Sequence, residues 1–242
     1  MKLSVAIPCL DEARTIAKAV GLARDLVSAV GGDGEVVVAD NGSGDRSREL
    51  AERAGARVVA VSRRGYGFAL LAAIRASKGD VIVMGDADAT YDFREAAPLV
   101  EAVASGSCDL AMGSRLRGNI EKGAMPFLHR RLGTPVFSWV IRRFFGLRIT
   151  DSNCGLRAFS RDAFERMHLE CGGMELASEM LVGAALSGLK VREFPVSHFR
   201  RPDGSPSHLR PWRDGWRHCR ILLRSAFRRR SRRLSCSMEK GA

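Results

Sequence analysis

Two aspartates, Asp86 and Asp88, stand one residue apart directly after the apolar run VIVMG. Paired carboxylates at the end of a buried strand suit a hard divalent cation such as Mg²⁺ or Mn²⁺, which prefers oxygen ligands and commonly binds substrate phosphates as well. The alternative is structural, because aspartate is a preferred residue at the amino end of a helix. The pair alone leaves both interpretations open.

The segments around this pair predict how it is positioned. Over residues 1–115 short apolar runs alternate with helix-like patterns, an order typical of a parallel sheet covered by helices on both faces. Such sheets bind ligands in a crevice at the carboxyl ends of their strands. Pro8, Asp40 and Asp86 each stand at the end of one of these runs. The sequence therefore predicts that these three residues meet at one crevice.

Length and composition indicate a globular protein. The chain has 242 residues, of which 45% are hydrophobic and 27% charged. No apolar run approaches the roughly 18 residues that a transmembrane helix needs. The amino-terminal segment reaches Pro8 and two acids before any long apolar stretch, which argues against a secretory signal and predicts a cytoplasmic protein. The six cysteines show neither a C-x-x-C pair nor zinc-ligand spacing, so free thiols are expected.

Five motifs, in order along the chain, resemble the family 2 glycosyltransferases of GT-A fold. The motifs are VAIPCLDEA, VVVADNGSGDRS, MGDADATYDF, DSNCGLRAF and GMELASEMLVGAALSGLKVREFPV. Within that family the chain looks most like the dolichol-phosphate and polyprenyl-phosphate hexose synthases, and the resemblance covers roughly residues 1–220. It implies a Rossmann-like, mostly parallel α/β sheet and an inverting transfer of a hexose from a nucleotide sugar.

The resemblance assigns the donor side of the site residue by residue. It implies that the nucleotide is bound by Pro8, Leu10, Glu12, Asp40, Arg63 and Asp86, and that Asp86 and Asp88 hold the diphosphate through Mg²⁺ or Mn²⁺. Arg63 precedes Gly65 and Gly67, where the family has a glycine-rich turn that lets the backbone approach a phosphate at a helix terminus. A tight turn with solvated arginines is the alternative for this segment.

The acceptor side is implied to be basic. GSRLRG and HRRLGT correspond to segments that contact the acceptor phosphate in the lipid-phosphate branch, through Arg115, Arg130 or Arg131, and the hydroxyl of Thr134. A phosphate monoester is already anionic, so it needs cationic positioning more than deprotonation. A strong general base is therefore not required.

Three charged residues within the family-like motifs are candidates for catalysis. Asp151 is the first choice for a base or for an acid that orients the acceptor, since the family places its catalytic carboxylate in this region. Arg157 and Glu179 rank below it. An arginine and a glutamate on neighbouring elements also form partly buried pairs with a structural role.

Residues 125–149 mix Trp and Phe side chains with five arginines. This pattern fits amphipathic helices in a membrane interface, with the apolar face in lipid and the arginines at anionic headgroups. Two ordinary helices packed on the core are the alternative. The family resemblance favours membrane contact, and it predicts peripheral attachment at the cytoplasmic face of the membrane.

The carboxyl-terminal segment is strongly basic. Residues 197–242 carry 13 Lys or Arg against 3 Asp or Glu, which accounts for +10 of the net charge of +12. We expect a glycosyltransferase domain over 1–199, with a nucleotide-sugar-binding half at 1–115 and an acceptor half at 116–199. A basic amphipathic segment with Trp212 and Trp216 then follows over 200–242, and it ends in a disordered tail, RRRSRRLSCSMEKGA.

Two other functions are weighed against transfer to a polyprenyl phosphate. A glycosyltransferase of the same fold acting on a soluble hydroxyl acceptor fits the missing membrane segment, whereas the arginines at 115, 130 and 131 favour a phosphate. A nucleic-acid-binding arm fits the basic tail, but no helix-turn-helix, zinc or RNP-like signature accompanies it, and an acidic crevice repels phosphodiesters. The expected partners are a nucleotide sugar, a polyprenyl phosphate and a membrane surface, without nucleic acid.

Overall fold

The computed structural model describes residues 1–202 and 215–223. Seven strands in this part of the chain form one sheet: β1 (Leu3–Cys9), β2 (Gly34–Asp40), β3 (Arg57–Ala60), β4 (Val81–Met84), β5 (Leu110–Ser114), β6 (Arg157–Ser160) and β7 (Val191–Pro195). Their order across the sheet is β3-β2-β1-β4-β6-β5-β7. Only β6 runs antiparallel to its neighbours among these strands, so the predicted mostly parallel sheet is confirmed.

Helices cover both faces of the sheet. They are α1 (Ile16–Ala29), α2 (Ser47–Arg53), α3 (Tyr66–Ala76), α4 (Ala97–Ala104), α5 (Thr134–Phe145), α6 (Arg161–Met167), α7 (Leu176–Leu186) and α8 (residues 215–223). A 3-10 turn, Phe93–Ala96, precedes α4, and a π-helical turn, His129–Gly133, leads into α5. The alternation of strands and helices follows the pattern predicted over residues 1–115.

The central strands β1 and β4 are buried along their whole length because helices cover both faces of the sheet. In β1, Val5 and Ile7 face the core that contains residues of α1 and α4, whereas Ala6 faces the core that contains residues of α3 and α7. All residues of β1 are buried. A strand covered on one face only would alternate apolar with polar residues, and β1 does not.

Strand β6 joins the two halves of the chain. It pairs with β4 on one side and with β5 on the other, and Arg157 lies opposite both Met84 and Met112. Because β6 is antiparallel, the segment before it enters at the edge where β4 and β5 end. Residues of the predicted acceptor half therefore belong to the same sheet as the predicted donor half.

Helix α8 packs on the body of the protein. The Nδ1 atom of His218 lies 2.7 Å from Oγ of Ser178 on α7, its ring lies 5.5 Å from that of Phe137 on α5, and Leu222 is buried. The described part of the predicted basic segment is thus a docked helix. Trp212 and the predicted disordered tail lie outside the described residues. No helix in the described part has the length and apolarity needed to cross a bilayer.

Candidate active site

Parallel strand pairing brings the predicted donor residues to one edge of the sheet. Cys9, the last residue of β1, lies opposite Asp40, the last residue of β2. Strand β4 pairs with the other side of β1, so Asp86 and Asp88 follow at the same edge. Arg115 follows β5, which also ends there. The crevice predicted from the sequence therefore lies at this edge.

The aspartate pair is held by hydrogen bonds on separate oxygens. The hydroxyl of Tyr66 donates to Oδ1 of Asp86 at 2.8 Å. The backbone N–H and the hydroxyl of Thr90 donate to Oδ1 of Asp88 at 3.1 and 2.7 Å. Gly155 leaves room for the pair, because a Cβ there would lie 2.7 Å from Oδ2 of Asp86. The structural alternative, in which Asp88 hydrogen-bonds to the following residues, therefore accounts for Oδ1 of Asp88 and not for Oδ2.

A guanidinium lies between the acids of this crevice. Arg201, from the segment after β7, places Nη2 3.1 Å from Oδ2 of Asp88 and 3.2 Å from Oε1 of Glu12. Glu12 is buried, and its Oε2 accepts a hydrogen bond from the hydroxyl of Thr15 at 3.0 Å. One arginine thus bridges a predicted nucleotide contact and a predicted metal ligand.

The acid pair fits a divalent cation that is bound together with a nucleotide. Burial and the charge of Asp88 raise the pKa of Asp86 to about 7, so the pair holds more negative charge than its surroundings stabilise. The described residues contain no group of three or more His, Cys, Asp or Glu side chains arranged to hold a metal. Mg²⁺ commonly uses one or two carboxylates and takes its other ligands from phosphates and water. Asp86 and Asp88 would hold the cation on that pattern.

His198 is a candidate contact that the sequence analysis missed. Its buried Nδ1 has no hydrogen-bond partner among the described residues, and its ring lies 5.1 Å from that of Tyr91. Burial and the charge of Arg115 lower the pKa of His198 to about 4, so the imidazole is neutral at pH 7. A neutral ring with an unpartnered nitrogen at this edge is suited to meet a bound ligand.

The side chains of Asp40 and Asn41, at the end of β2, hydrogen-bond to backbone groups of the loops at this edge, and nucleotide contact by Asp40 stays a prediction. Asp40 is buried, and its Oδ1 accepts the N–H of Ser43 at 3.2 Å. Asn41 donates from Nδ2 to two carbonyls of the loop before α3, at 3.2 and 2.9 Å, and accepts the N–H of Gly65 at 2.7 Å. An ionised aspartate at this position could not donate to the two carbonyls, so the amide of Asn41 suits this clamp.

Other polar residues of the DNGSGDRS motif fix the loop after β1. Pro8 is buried within β1, and Leu10 is half-buried just beyond it. The backbone N–H groups of residues 11–13 donate to side chains of Ser43, Ser47 and Asp45 at 3.0, 2.8 and 3.0 Å. The backbone around Leu10 and Glu12 is therefore held in place from the neighbouring loop. Nucleotide contact by Pro8, Leu10 and Glu12 stays a prediction.

At Gly65 and Gly67, where a phosphate cradle and a tight turn are the two alternatives, the chain itself packs against the glycines. The carbonyl of Gly172 accepts the N–H of Gly67 at 3.0 Å and that of Phe68 at 3.4 Å. A Cβ on Gly67 would lie 2.8 Å from the carbonyl carbon of Gly172. Arg63 stacks over the ring of Phe68, 3.8 Å from its centroid. The glycines therefore permit close backbone packing, and nucleotide contact by Arg63 stays a prediction.

We expect Gly67→Ala to lower the free energy of unfolding by about 1–3 kcal/mol, because the added Cβ collides with backbone atoms of the adjacent loop. Gly21→Ala in α1 is the matched control, since nothing lies within 4 Å of the added Cβ. That variant should gain about 0.5–1 kcal/mol from helix propensity. Urea unfolding of both variants measures the difference. Equal stability of the two variants would contradict the packing role of Gly67.

Arg115 and Asp151 form a buried ion pair, which argues against the predicted base. Arg115 donates from Nε and Nη2 to the two carboxylate oxygens at 2.7 and 2.8 Å, and its backbone N–H donates at 3.0 Å. Burial acts to raise the pKa of Asp151, but the charge and hydrogen bonds of Arg115 outweigh it and hold the pKa below its usual value. An ionised carboxylate in a buried pair is a poor proton acceptor. Asp151 positions Arg115 instead.

The other two predicted catalytic residues, Arg157 and Glu179, hydrogen-bond to the backbone, and a catalytic role for either stays a prediction. Arg157 is fully buried and donates to three carbonyls, those of Ser152, Cys154 and Ala177, at 2.8, 3.0 and 2.8 Å. Glu179 accepts the N–H groups of Glu170 and Cys171 at 3.1 and 2.8 Å. Arg157 shapes the loop of Asp151, and Glu179 holds the loop that packs on Gly67. Each has a structural role that explains its charge.

The start of α5 lies beside the loop that holds Arg115. Thr134 is buried, and its carbonyl accepts the hydroxyl of Ser138 at 2.8 Å. The same hydroxyl oxygen accepts the N–H of Ser152 at 3.0 Å, and Ser152 follows Asp151. The first turn of α5 is therefore tied to the Arg115–Asp151 pair. Phosphate contact by Thr134 stays a prediction.

Helix α5 and the turn before it have two distinct faces. The inner face is buried and consists of Thr134, Ser138, Ile141 and Phe145. The outer face exposes large apolar side chains: Phe127, Leu128, Leu132, Val136, Trp139 and Phe144. Arg130, Arg131, Arg142 and Arg143 are exposed along the same segment. The helix packs on the core, as the alternative interpretation predicted, and it also presents an apolar and basic surface. Contact of that surface with a membrane stays a prediction.

The mostly parallel sheet with a D-x-D pair at its carboxyl edge has the architecture of the GT-A fold. A crystal structure of glucosyl-3-phosphoglycerate synthase from Mycobacterium tuberculosis, in complex with Mn²⁺, UDP-glucose and phosphoglyceric acid, matches it with a TM-score of 0.71. The match covers 93% of this chain and 79% of that one at 22% identity. At this identity the similarity shows the fold alone.

The chain belongs to glycosyl transferase family 2, whose model matches residues 4–171. It is 42% identical over 224 residues to the low-salt glycan biosynthesis hexosyltransferase Agl6 of Haloferax volcanii. The aligned region covers 93% of this chain and 54% of Agl6. The chain is 33% identical over 180 residues to a dolichyl-phosphate hexose transferase of the same organism, over 73% and 75% of the two chains. The chain thus spans about half the length of Agl6. The predicted family and enzyme class are confirmed.

Proposed function

We propose that this enzyme transfers a hexose from a nucleotide sugar to a polyprenyl phosphate, with inversion, while attached peripherally to the cytoplasmic face of a membrane. The similarity to a dolichyl-phosphate hexose transferase and to an undecaprenyl-phosphate 4-deoxy-4-formamido-L-arabinose transferase supports a lipid-phosphate acceptor. The Mn²⁺ and UDP-glucose in the complex of the structural neighbour support a metal-dependent nucleotide-sugar donor site.

On the donor side, Asp40 and Glu12 would bind the base and the ribose, and Asp86 and Asp88 would hold Mg²⁺ or Mn²⁺ with the diphosphate. A bound divalent cation offsets the negative charge that develops on a departing nucleoside diphosphate, a contribution of several kcal/mol. Tyr66 orients Asp86 through its hydroxyl, and Thr90 orients Asp88. These two hydrogen bonds fix the carboxylates before the donor arrives.

On the acceptor side, Arg115 would meet the lipid phosphate. The pair with Asp151 uses Nε and one N–H of Nη2, so Arg115 would reach a phosphate oxygen with Nη1 or with the second N–H of Nη2. Thr134 lies at the start of α5 next to this pair, and Arg130 and Arg131 are exposed one turn earlier. A buried and rigid arginine is suited to orient an anionic nucleophile without any base.

The observation that carries the proposal is that the segment 127–145 has a buried inner face and an exposed apolar outer face. Its inner face is tied through Ser138 and Ser152 to the loop of Arg115, and its outer face exposes apolar side chains among arginines. A soluble acceptor gives no reason for such an outer face. A lipid-linked acceptor does, because the phosphate must reach the site while its chain stays in the bilayer.

The proposal is tested with a panel of radiolabelled nucleotide sugars, Mn²⁺ or Mg²⁺, and either polyprenyl phosphate or an extract of soluble acceptors. We expect label in the organic phase with one of the donors. Label that stays in the aqueous phase and requires the soluble extract would replace the lipid acceptor with a soluble hydroxyl acceptor. The full chain is used in both arms.

We expect Trp139→Ala to weaken binding to vesicles that contain anionic lipid by about tenfold. The ring is 54% exposed, and burying the exposed half of a large apolar side chain in lipid is worth about 1–1.5 kcal/mol. Leu186→Ala, which removes an exposed apolar side chain at the end of α7, is the control and should bind like the parent. Vesicle co-sedimentation measures both variants. If Trp139→Ala co-sediments like the parent, the outer face of α5 is not the membrane contact.

A further inference from the structure

Arg201 is a largely buried cation at the donor edge of the sheet, and the donor and acceptor contacts assigned above do not include it. Its guanidinium bridges Glu12, which follows β1, and Asp88, which follows β4, at 3.2 and 3.1 Å. All three side chains are largely buried, with exposed fractions of 15% for Arg201, 7% for Glu12 and 14% for Asp88. We propose that Arg201 is an internal counter-cation of the donor site, which holds Asp88 and Glu12 without metal and leaves Asp88 when a divalent cation binds.

The competition follows from the hydrogen bonds of Asp88. Its Oδ1 already accepts two hydrogen bonds from Thr90, at 3.1 and 2.7 Å, so Oδ2 is the oxygen that remains for a cation. Oδ2 is also the atom that pairs with Arg201. A divalent ion on Oδ2 would stand beside the guanidinium, and two positive charges at that distance repel strongly in a partly buried site. Arg201 and the metal therefore exclude each other from one oxygen.

The backbone near Arg201 limits what has to move. The N–H of Phe199 donates to the carbonyl of Thr90 at 2.9 Å, and the N–H of Arg200 donates to Glu121 at 2.8 Å. The first bond fixes Phe199 to the loop that carries Asp88, and the second fixes residue 200 to the segment after β5. The exchange therefore requires a rotation of the Arg201 side chain rather than the release of the whole segment.

The counter-cation also accounts for the stability of the site without metal. Glu12, Asp86 and Asp88 bring three carboxyl groups into one crevice, and uncompensated like charges there disfavour the folded loops. Arg201 supplies positive charge from a third segment of the chain. This inference rests on the metal assignment in the proposed function, and its test uses metal binding rather than transfer.

The test is Mn²⁺ binding to the metal-free enzyme without nucleotide, measured by isothermal titration calorimetry. We expect Arg201→Gln to bind Mn²⁺ about tenfold more tightly than the parent, because the competitor for Oδ2 is gone. Arg200→Gln removes the same charge from the exposed neighbouring side chain and should stay within about twofold of the parent. Arg201→Lys keeps the positive charge and should stay closer to the parent than Arg201→Gln.

Each outcome separates this inference from the proposed function. Equal or weaker Mn²⁺ binding by Arg201→Gln overturns the counter-cation, while the transferase proposal stands. If Arg201→Gln binds Mn²⁺ more tightly and the parent transfers no sugar to polyprenyl phosphate, the counter-cation is supported and the proposed lipid-phosphate acceptor is overturned. If neither the parent nor Arg201→Gln binds Mn²⁺ in a manner that Asp88→Ala abolishes, both the metal assignment and the counter-cation fail.

Discussion

Asp88→Ala should lower transfer by at least about 10³-fold and leave the fold intact. The variant removes a carboxylate that we assign to the cation of the donor site, and a loss of about 4 kcal/mol in transition-state stabilisation corresponds to that factor. The side chain is largely buried but belongs to neither hydrophobic core cluster, so its removal costs little apolar packing. The rate of transfer at saturating donor measures the effect.

A readout without catalysis checks the same assignment. A nucleoside diphosphate at 100 times its Kd stabilises the parent by about 2.7 kcal/mol if it binds only the folded state. With Mn²⁺ present, Asp88→Ala should lose most of that stabilisation, whereas without ligand it should melt near the parent. Asp162→Ala, which removes an exposed carboxylate on α6, is the control. Equal stabilisation of the parent and Asp88→Ala by the diphosphate would rule out Asp88 as a ligand.

The edge of the sheet was predictable from the sequence because it follows from local pattern. Apolar runs that end in Pro8, Asp40 and Asp86 define buried strands, and parallel strands of one sheet end at one edge. The direction of β6 was not predictable in this way. The run RAFS fits either direction, and only pairing with β4 and β5, far away in the chain, decides it.

Charge partners were the harder part of the site to predict. Asp151 looked like a base because a lone carboxylate in a family motif suggests proton transfer, yet Arg115, 36 residues earlier in the chain, ion-pairs with it. Arg157 and Glu179 bind backbone groups that no side-chain pattern reveals. Arg201 looked like one more residue of a basic tail. Burial and partners far away in the chain decide the role of a charged side chain, and the spacing of residues along the sequence shows neither.

The buried pair of Arg115 and Asp151 predicts large losses of stability in the single variants that do not add in the double variant. Arg115→Met leaves Asp151 charged and buried, and Asp151→Asn leaves the guanidinium without its counter-ion, so each should lower the free energy of unfolding by about 3–5 kcal/mol. In the double variant the unpaired charge is gone, and Asn still offers an oxygen to the backbone N–H of residue 115. It should recover at least about 2 kcal/mol in urea unfolding. Additive losses in the double variant would show that the two side chains act independently.

The same double variant tests the acceptor in a protein that stays folded. It lacks the cation that we assign to the lipid phosphate, and a charge-assisted contact is worth about 1.5–3 kcal/mol, so kcat/KM for polyprenyl phosphate should fall by about ten- to a hundredfold. Slow hydrolysis of the nucleotide sugar by water needs the donor site alone and should persist. Arg117→Met removes an exposed arginine two residues away and should transfer at the parent rate. If the double variant also matches the parent at subsaturating polyprenyl phosphate, Arg115 does not bind the acceptor and the soluble-acceptor alternative gains the stronger support.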